Sequence, residues 1–386
     1  MFEDYQKLEQ TGEPEQRFAK FAGFPLYCRE TLSGTRTMHT RPIQDRIDWL
    51  LDLSRIHSKR FCDPENHLAR QRYQAEHSTE IVALKCMDGR IHLPYATQTP
   101  MGIIRPFRNL GGIFDLGWPY LGDLLADLVG ETVSQGRRVL VIITYHFSKG
   151  DSARGCAGFD CDQAAALAHA QQIKQQVETI FGAGHQTVYP LVCGFETDED
   201  ALTLHHENGV YLDLSTLVNQ AREQVKSDIE SVFSDMPDQI RHDLMPLVEG
   251  NLRHIVEIRK SRRELAVEHR EWILCVGRGF DFLHVPNIAL IIGPYSPDLS
   301  HPIQKAAAII QSNMDKGRVP DDGFLLLCSA PYQEPGPDRA RAEMKARFMA
   351  AFTARVIDEC QPLLAKKMIR QTAILNWPTR RLEIFD

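Results

Sequence analysis

Glu80-Ile-Val-Ala-Leu-Lys-Cys-Met-Asp-Gly-Arg90 opens the stretch that decides the fold, and Arg138-Val-Leu-Val-Ile-Ile-Thr-Tyr-His146, followed by Gly155-Cys-Ala-Gly158, closes it. The apolar runs Ile81–Leu84 and Val139–Thr144 are short, rich in β-branched residues and bounded by polar or turn residues, which predicts two buried strands of a parallel sheet. The first run delivers Cys86, Asp88 and Arg90 at its carboxyl end. The second delivers His146, and Cys156 lies ten residues further on. Side chains at the carboxyl ends of parallel strands converge on the crevice where α/β proteins place their chemistry. Two thiols and one imidazole, with no evident fourth protein ligand, form the donor set of an open zinc site: Cys86, His146 and Cys156, with one position left for water.

Around these strands the pattern is α/β. Gly102-Ile-Ile-Arg105 reads as a short second strand, and Arg108-Asn-Leu-Gly-Gly112 as a turn whose paired glycines permit positive φ or a close backbone approach. Helices are predicted at about 119–135 and 162–181, a strand at Val188–Cys193, and a last extended piece at 209–214. Upstream, residues 1 to about 32 form a polar, irregular arm. The spacing of Ile43, Ile47, Leu50, Leu51, Leu53 and Ile56 then predicts a helix beginning at Pro42, with another at 64–76. We expect this N-terminal helical region to pack on the sheet. Residues 216–269 are helical and heavily charged. Arg259-Lys260 and Arg262-Arg263 raise a nucleic-acid reading, but the neighbouring Glu257, Glu264 and Glu268 favour a solvated helix face.

The tail echoes the first unit. Glu271-Trp-Ile-Leu-Cys-Val-Gly-Arg278 parallels the segment from Glu80, with Cys275 at the place of Cys86. Ala289-Leu-Ile-Ile-Gly-Pro294 parallels Met101-Gly-Ile-Ile-Arg-Pro106, and Gly323-Phe-Leu-Leu-Leu-Cys-Ser-Ala-Pro331 parallels the run from Arg138, with Pro331 where His146 should stand. Shared order and nearly constant offset indicate an internal duplication. The second copy lacks the histidine, the second cysteine and the aspartate, so it cannot hold the same metal. The expected organisation is an arm and helical region over 1–78, a metal-bearing domain over 79–216 and a degenerate copy over 217–386.

Composition narrows the function classes. The chain has 386 residues and a net charge of -7, which argues against a dedicated nucleic-acid binder. It shows neither an eighteen-residue apolar run nor a basic segment leading into an apolar one at Met1, so no membrane partner and no secretion are expected. Nine scattered cysteines, an odd number, suit a reducing cytoplasm better than a disulfide framework.

Taken together, Cys-x-Asp-x-Arg at a strand end, Arg-Asn-Leu-Gly-Gly, and an apolar strand ending in histidine with Cys-Ala-Gly beyond it resemble the β-class carbonic anhydrases. The usual spacing there is His-x-x-Cys; here nine residues separate His146 from Cys156. That longer loop is similar to the carboxysomal, shell-associated branch, in which a degenerate second copy replaces a partner subunit and an N-terminal helical domain precedes the first. Gly194-Phe-Glu-Thr-Asp-Glu-Asp-Ala-Leu-Thr-Leu-His205 resembles a stretch of that branch too. The resemblance implies an α/β fold with a parallel-core sheet flanked by helices, duplicated, and one Zn2+ per chain on Cys86, His146 and Cys156. It implies Asp88 and Arg90 as the dyad beside the metal, and reversible hydration of carbon dioxide to bicarbonate and a proton by a zinc-bound hydroxide that Asp88 orients. Arg90 would keep Asp88 ionised and turned from the metal. A cytoplasmic homo-oligomer is the expected assembly, with carboxysome components as candidate partners and the carboxysome as an alternative location.

Other readings of the same residues stay open at this level. Cys156 and Cys161 are candidates for the same ligand position, and Asp88–Arg90 could be an ion pair that only holds a turn. Cys193, Cys275, Cys328 and Cys360 read as small core hydrophobes, and His205-His206 as solvated loop residues. Asp151 and Arg154 lie in the long loop without an assigned role. Hydrolysis of carbon disulfide or carbonyl sulfide on the same zinc, and a non-catalytic carboxysome-type scaffold, are the alternative functions. The chain contains no Cys-x-x-Cys, which argues against a thiol-redox protein.

Overall fold

A computed structural model describes residues 38–261, 269–280, 282–283 and 287–386. The N-terminal arm, Cys28, Arg262-Arg263, Glu264 and Glu268 lie outside the described residues. The principal helices are α1 (Ile43–Cys62), α2 (Pro64–Glu76), α3 (Pro119–Ser134), α4 (Gln163–Phe181), α5 (Arg222–Val232), α6 (Asp238–Ser261), α7 (Ser300–Asp315) and α8 (Pro337–Cys360).

The first sheet contains β1 (Glu80–Cys86), β2 (Ile104–Asn109), β3 (Val139–Phe147), β4 (Val188–Glu196), β5 (Ala201–His205) and β6 (Tyr211–Asp213) in the order β2-β1-β3-β4-β5-β6. The first four run parallel, and β5 and β6 join antiparallel. Every residue of β1, β3 and β4 is buried, which is why these strands read as unbroken apolar runs. Leu121 and Leu125 of α3 and Ala166, Ala170 and Ile173 of α4 cover one face, against Val141 and Ile143. Asp162 starts α4 by accepting from the amides of Ala164 and Ala165. Leu244, Leu247 and Val248 of α6 face Ile142 and Leu191 on the other side.

The second sheet holds β7 (Ile273–Gly277), β8 (Ala289–Ile292), β9 (Phe324–Tyr332), β10 (Met368–Asn376) and β11 (Arg381–Ile384) in the order β8-β7-β9-β10-β11, parallel except for β11. This order repeats that of β2-β1-β3-β4-β5. The registers do not keep the offset expected from sequence. Leu84 faces Phe107 and Ile143, whereas Ile273 faces Ala289 and Leu325. Laying Cys275 on Cys86 therefore brings Ala289 onto Phe107 rather than Met101, and Leu325 onto Ile143 rather than Leu140.

Other expectations need correction. The second strand begins at Ile104, not Gly102, so Arg108 and Asn109 are strand residues and only Leu110–Gly112 turns. The acidic run after β4, to which the sequence assigns no element, makes a four-residue turn into the unpredicted strand β5. The charged region from Thr216 breaks into α5 and α6. Helix α1 packs on the second sheet rather than the first. Arg46 pairs with Asp322 and lies 4.9 Å from the Trp272 ring, and Ser58 Oγ donates to the Thr379 carbonyl at 2.9 Å. Helical periodicity defines an apolar stripe without naming its partner.

The two sheets meet where β1 ends. Ile291 N donates to the Met87 carbonyl at 3.0 Å, Asn287 N to that of Gly89 at 3.2 Å and Gly293 N to that of Arg108 at 2.8 Å. Tyr295 inserts its ring 4.9 Å from Phe107, within the first sheet's core. The second half thus backs the end of the sheet that carries the candidate ligands. No described helix is long and apolar enough to cross a membrane.

Candidate metal centre

Strands β1 and β3 are neighbours with Leu84 opposite Ile143, so their carboxyl ends lie level. Cys86 is the last residue of β1 and His146 the last but one of β3. Cys156 comes from the following loop, and the ligating atoms of the three lie within 4.8 Å of one another, all from buried residues. Two glycine contacts bring that loop in. Gly112 has φ +69°, and a Cβ there would stand 3.0 Å from the Thr144 carbonyl oxygen; a Cβ on Gly158 would stand 2.5 Å from Gly111 Cα. The Cys156 limb therefore rests on the Gly-Gly turn, backbone against backbone. Its other limb is tied to the end of β4. Ser148 Oγ donates to Asp198, Gly150 N donates to Asp198 Oδ2 at 2.8 Å, and Lys149 N donates to Glu196 Oε1 at 3.0 Å.

Neither ring nitrogen of the buried His146 has a hydrogen-bond partner among the described residues. A buried imidazole without partners costs free energy that a metal ligated through one nitrogen would offset. Burial acts to raise the Cys86 thiol, but hydrogen bonding from Cys156 and the neighbouring His146 hold it well below its ordinary value. Cys156 is pushed the other way, by its hydrogen bond to Cys86 and by burial. A bound metal would take both sulfurs as thiolates and release the protons they carry. Two sulfurs and one nitrogen fit zinc in donor softness and in number, leaving one position open.

Arg90 grips Asp88 beside this group. Its Nη2 donates to Asp88 Oδ2 at 2.7 Å, its Nε to Oδ1 at 3.1 Å, and its backbone amide to Oδ1 at 2.8 Å. Burial would raise the Asp88 carboxyl, yet the Arg90 charge prevails and holds it well below the usual carboxylate range. Asp88 Oδ2 lies 3.9 Å from His146 Nε2, close enough to address a ligand on the same metal. Arg90 Nη1 also donates to the Arg154 carbonyl at 3.1 Å, joining the dyad to the long loop.

Several supporting residues were not legible as such. Glu196 and Asp198 anchor the His146–Cys156 loop; acidic residues at the carboxyl end of an apolar strand are the signal for them in the sequence. Lys85, buried beside Cys86, donates to the Ile91 carbonyl at 2.7 Å and braces the 88–91 turn. His269 and Glu271 of the second half approach Asp88, their ligating atoms within 4.8 Å of its carboxylate. The grouping contains Cys156 and not Cys161, whose thiol donates instead to the Ala153 carbonyl. Cys193, Cys275 and Cys328 are buried, and burial pushes the thiols of Cys193 and Cys328 up to about 12, as expected of core cysteines. His205 ends β5 with Nε2 2.9 Å from the Tyr145 hydroxyl, and His206 lies 3.0 Å from an Asp235 oxygen, so neither is a free loop residue. Arg259, at the end of α6, pairs with Glu199 at 2.8 Å, which suits the solvated-face reading.

A buried Cys-His-Cys group at the carboxyl ends of parallel strands, with an arginine-gripped aspartate beside it, is consistent with an α/β fold of the β-carbonic-anhydrase type. Residues 72–245 match the family model of the carboxysome shell carbonic anhydrase catalytic domain, so this part of the chain is similar to that family. The match contains all five candidate residues and covers less than half of the chain. No curated protein matches the chain.

Proposed function

We propose that this protein interconverts carbon dioxide and bicarbonate, with one zinc ion held by Cys86, His146 and Cys156. The observation that carries the reading is the convergence of two buried thiols on an imidazole whose nitrogens have no hydrogen-bond partner among the described residues, inside a segment that matches a carbonic anhydrase family model. When bound, zinc supplies Lewis acidity and lowers the pKa of a coordinated water to about 7. The chain's own residues supply orientation. Asp88 Oδ2 accepts a short bond from Arg90 Nη2 at 2.7 Å and only shares Arg90 Nε with Oδ1, at 3.2 and 3.1 Å, so its second lone-pair site is weakly engaged and can accept a hydrogen bond from the attacking oxygen. Arg90 keeps that acceptor ionised and prevents it from swinging onto the metal.

The second sheet, in the same reading, is a degenerate copy of the first whose β8 seals the turn carrying Asp88 and Arg90. The domain division is then 1–78, 79–216 and 217–386. We place the protein in association with a carboxysome, after the family whose model residues 72–245 match, and as a homo-oligomer. Stopped-flow carbon dioxide hydration, with zinc measured on the same sample, tests the activity. We expect about one zinc per chain at this centre and rapid turnover, both lost in Cys156→Ser and both kept in Cys161→Ser. Zinc without hydration would overturn the substrate, and no zinc would overturn the centre itself.

A further inference from the structure

Away from this centre, the end of α2, the lead into β1 and the first turns of α6 meet around Asp243. Its carboxylate is buried and firmly oriented. Thr79 N donates to Oδ2 at 2.8 Å, and Gln239 Nε2 lies 2.9 Å from both oxygens. His77 Nδ1 and His242 Nδ1 both point at Oδ1, at 3.2 and 3.0 Å, and their rings stack with centroids 5.1 Å apart. Two imidazole nitrogens and one carboxylate oxygen thus share a space within 4.8 Å, the fold bringing His77 to the distant, adjacent pair His242 and Asp243. In a tetrahedral site with bonds of about 2.0–2.1 Å, neighbouring ligand atoms are about 3.3 Å apart. The distances here already approach that edge. Nearby, the buried Tyr73 hydroxyl has no hydrogen-bond partner among the described residues, and its ring lies 4.7 Å from that of His77. The half-exposed His242 leaves an entry path from solvent, its side chain 58% accessible.

We propose that His77, His242 and Asp243 hold a second divalent transition-metal ion, bound through the two Nδ1 atoms and a carboxylate oxygen. Imidazole and carboxylate donors select zinc, cobalt, nickel or copper over calcium and magnesium. On binding, each neutral ring carries its proton on Nε2 and turns its Nδ1 lone pair to the metal. Thr79 and Gln239 act as the outer partners that fix the carboxylate. The ion links α2 to α6 next to the residue that leads into β1, the strand that ends in Cys86.

Cobalt(II) titration of the full chain tests this separately from the thiolate centre, because only a cysteine-ligated cobalt gives an intense thiolate charge-transfer band. We expect two cobalt ions per chain in the wild type. His242→Ala should keep the band and lose one cobalt, and Cys86→Ala should lose the band and keep one. Added cobalt should also raise the melting temperature of Cys86→Ala but not of Cys86→Ala/His242→Ala. Equal cobalt content in wild type and His242→Ala would overturn the proposal. Loss of one cobalt in His242→Ala, with no thiolate band in any variant, would sustain it and sink the cysteine centre instead.

Discussion

Gly158→Ala puts the geometry of the candidate centre to a direct test. The new Cβ would stand 2.5 Å from Gly111 Cα and 2.7 Å from Gly111 N, where carbon contacts ordinarily settle at about 3.5–4.0 Å. Both obstructing atoms are backbone, so no side chain can rotate away. Gly111 is itself held by Gly112, whose own Cα has no room beyond the Thr144 carbonyl. The limb that must retreat, by about an ångström, is therefore the one carrying Cys156. A zinc–sulfur bond of about 2.3 Å does not stretch that far. Overpacking of this kind costs about 1–3 kcal/mol. Borne by the metal-loaded state, that cost weakens zinc binding about 5- to 150-fold, since about 1.4 kcal/mol is tenfold. Competition against a chromogenic chelator measures the affinity, and Gly184→Ala, where an added Cβ meets nothing within 4 Å, is the control. Zinc affinity in Gly158→Ala within twofold of wild type would refute the argument that backbone contact seats Cys156.

Arg90→Ala leaves the buried Asp88 with a backbone amide as its remaining donor from residue 90, and should lower unfolding stability by about 3–5 kcal/mol in urea titrations while abolishing carbon dioxide hydration. Because the fold depresses the Asp88 carboxyl, its stabilising contribution is fully present above the unfolded value of about 3.9 and is lost as pH falls through the lower folded value. Urea midpoints of the metal-free protein should accordingly fall below about pH 4, less steeply in Asp88→Asn; identical slopes would count against the ion pair. Gly250→Ala, whose Cβ would lie 1.7 Å from the Thr97 carbonyl oxygen, should destabilise by about 3 kcal/mol or more, seen as a lowered melting temperature, because α6 cannot approach Leu93–Ala96 otherwise.

The legible parts of the fold were those whose signal is local. Continuous β-branched runs announced β1, β3 and β4, since strands buried on both faces tolerate no polar alternation. Strand β5 was missed because Thr197–Asp200, an acidic run, gives no hint that the following residues return antiparallel to β4. The two sheets share a strand order, but their registers do not follow the offset of the apparent repeat, since short apolar strands slide along one another without losing their resemblance.

By itself the sequence determined that Cys86, Asp88, Arg90 and His146 stand at strand ends, because pleat and strand length follow from the pattern of apolar residues. Only the tertiary structure set Cys156, and not Cys161, beside Cys86 and His146, placed α1 on the second sheet, and brought β8 and His269 up to the Asp88 turn. It also joined His77 to His242 and Asp243. Those outcomes depend on backbone approach and on which apolar faces find each other, and neither is written in the order of the residues.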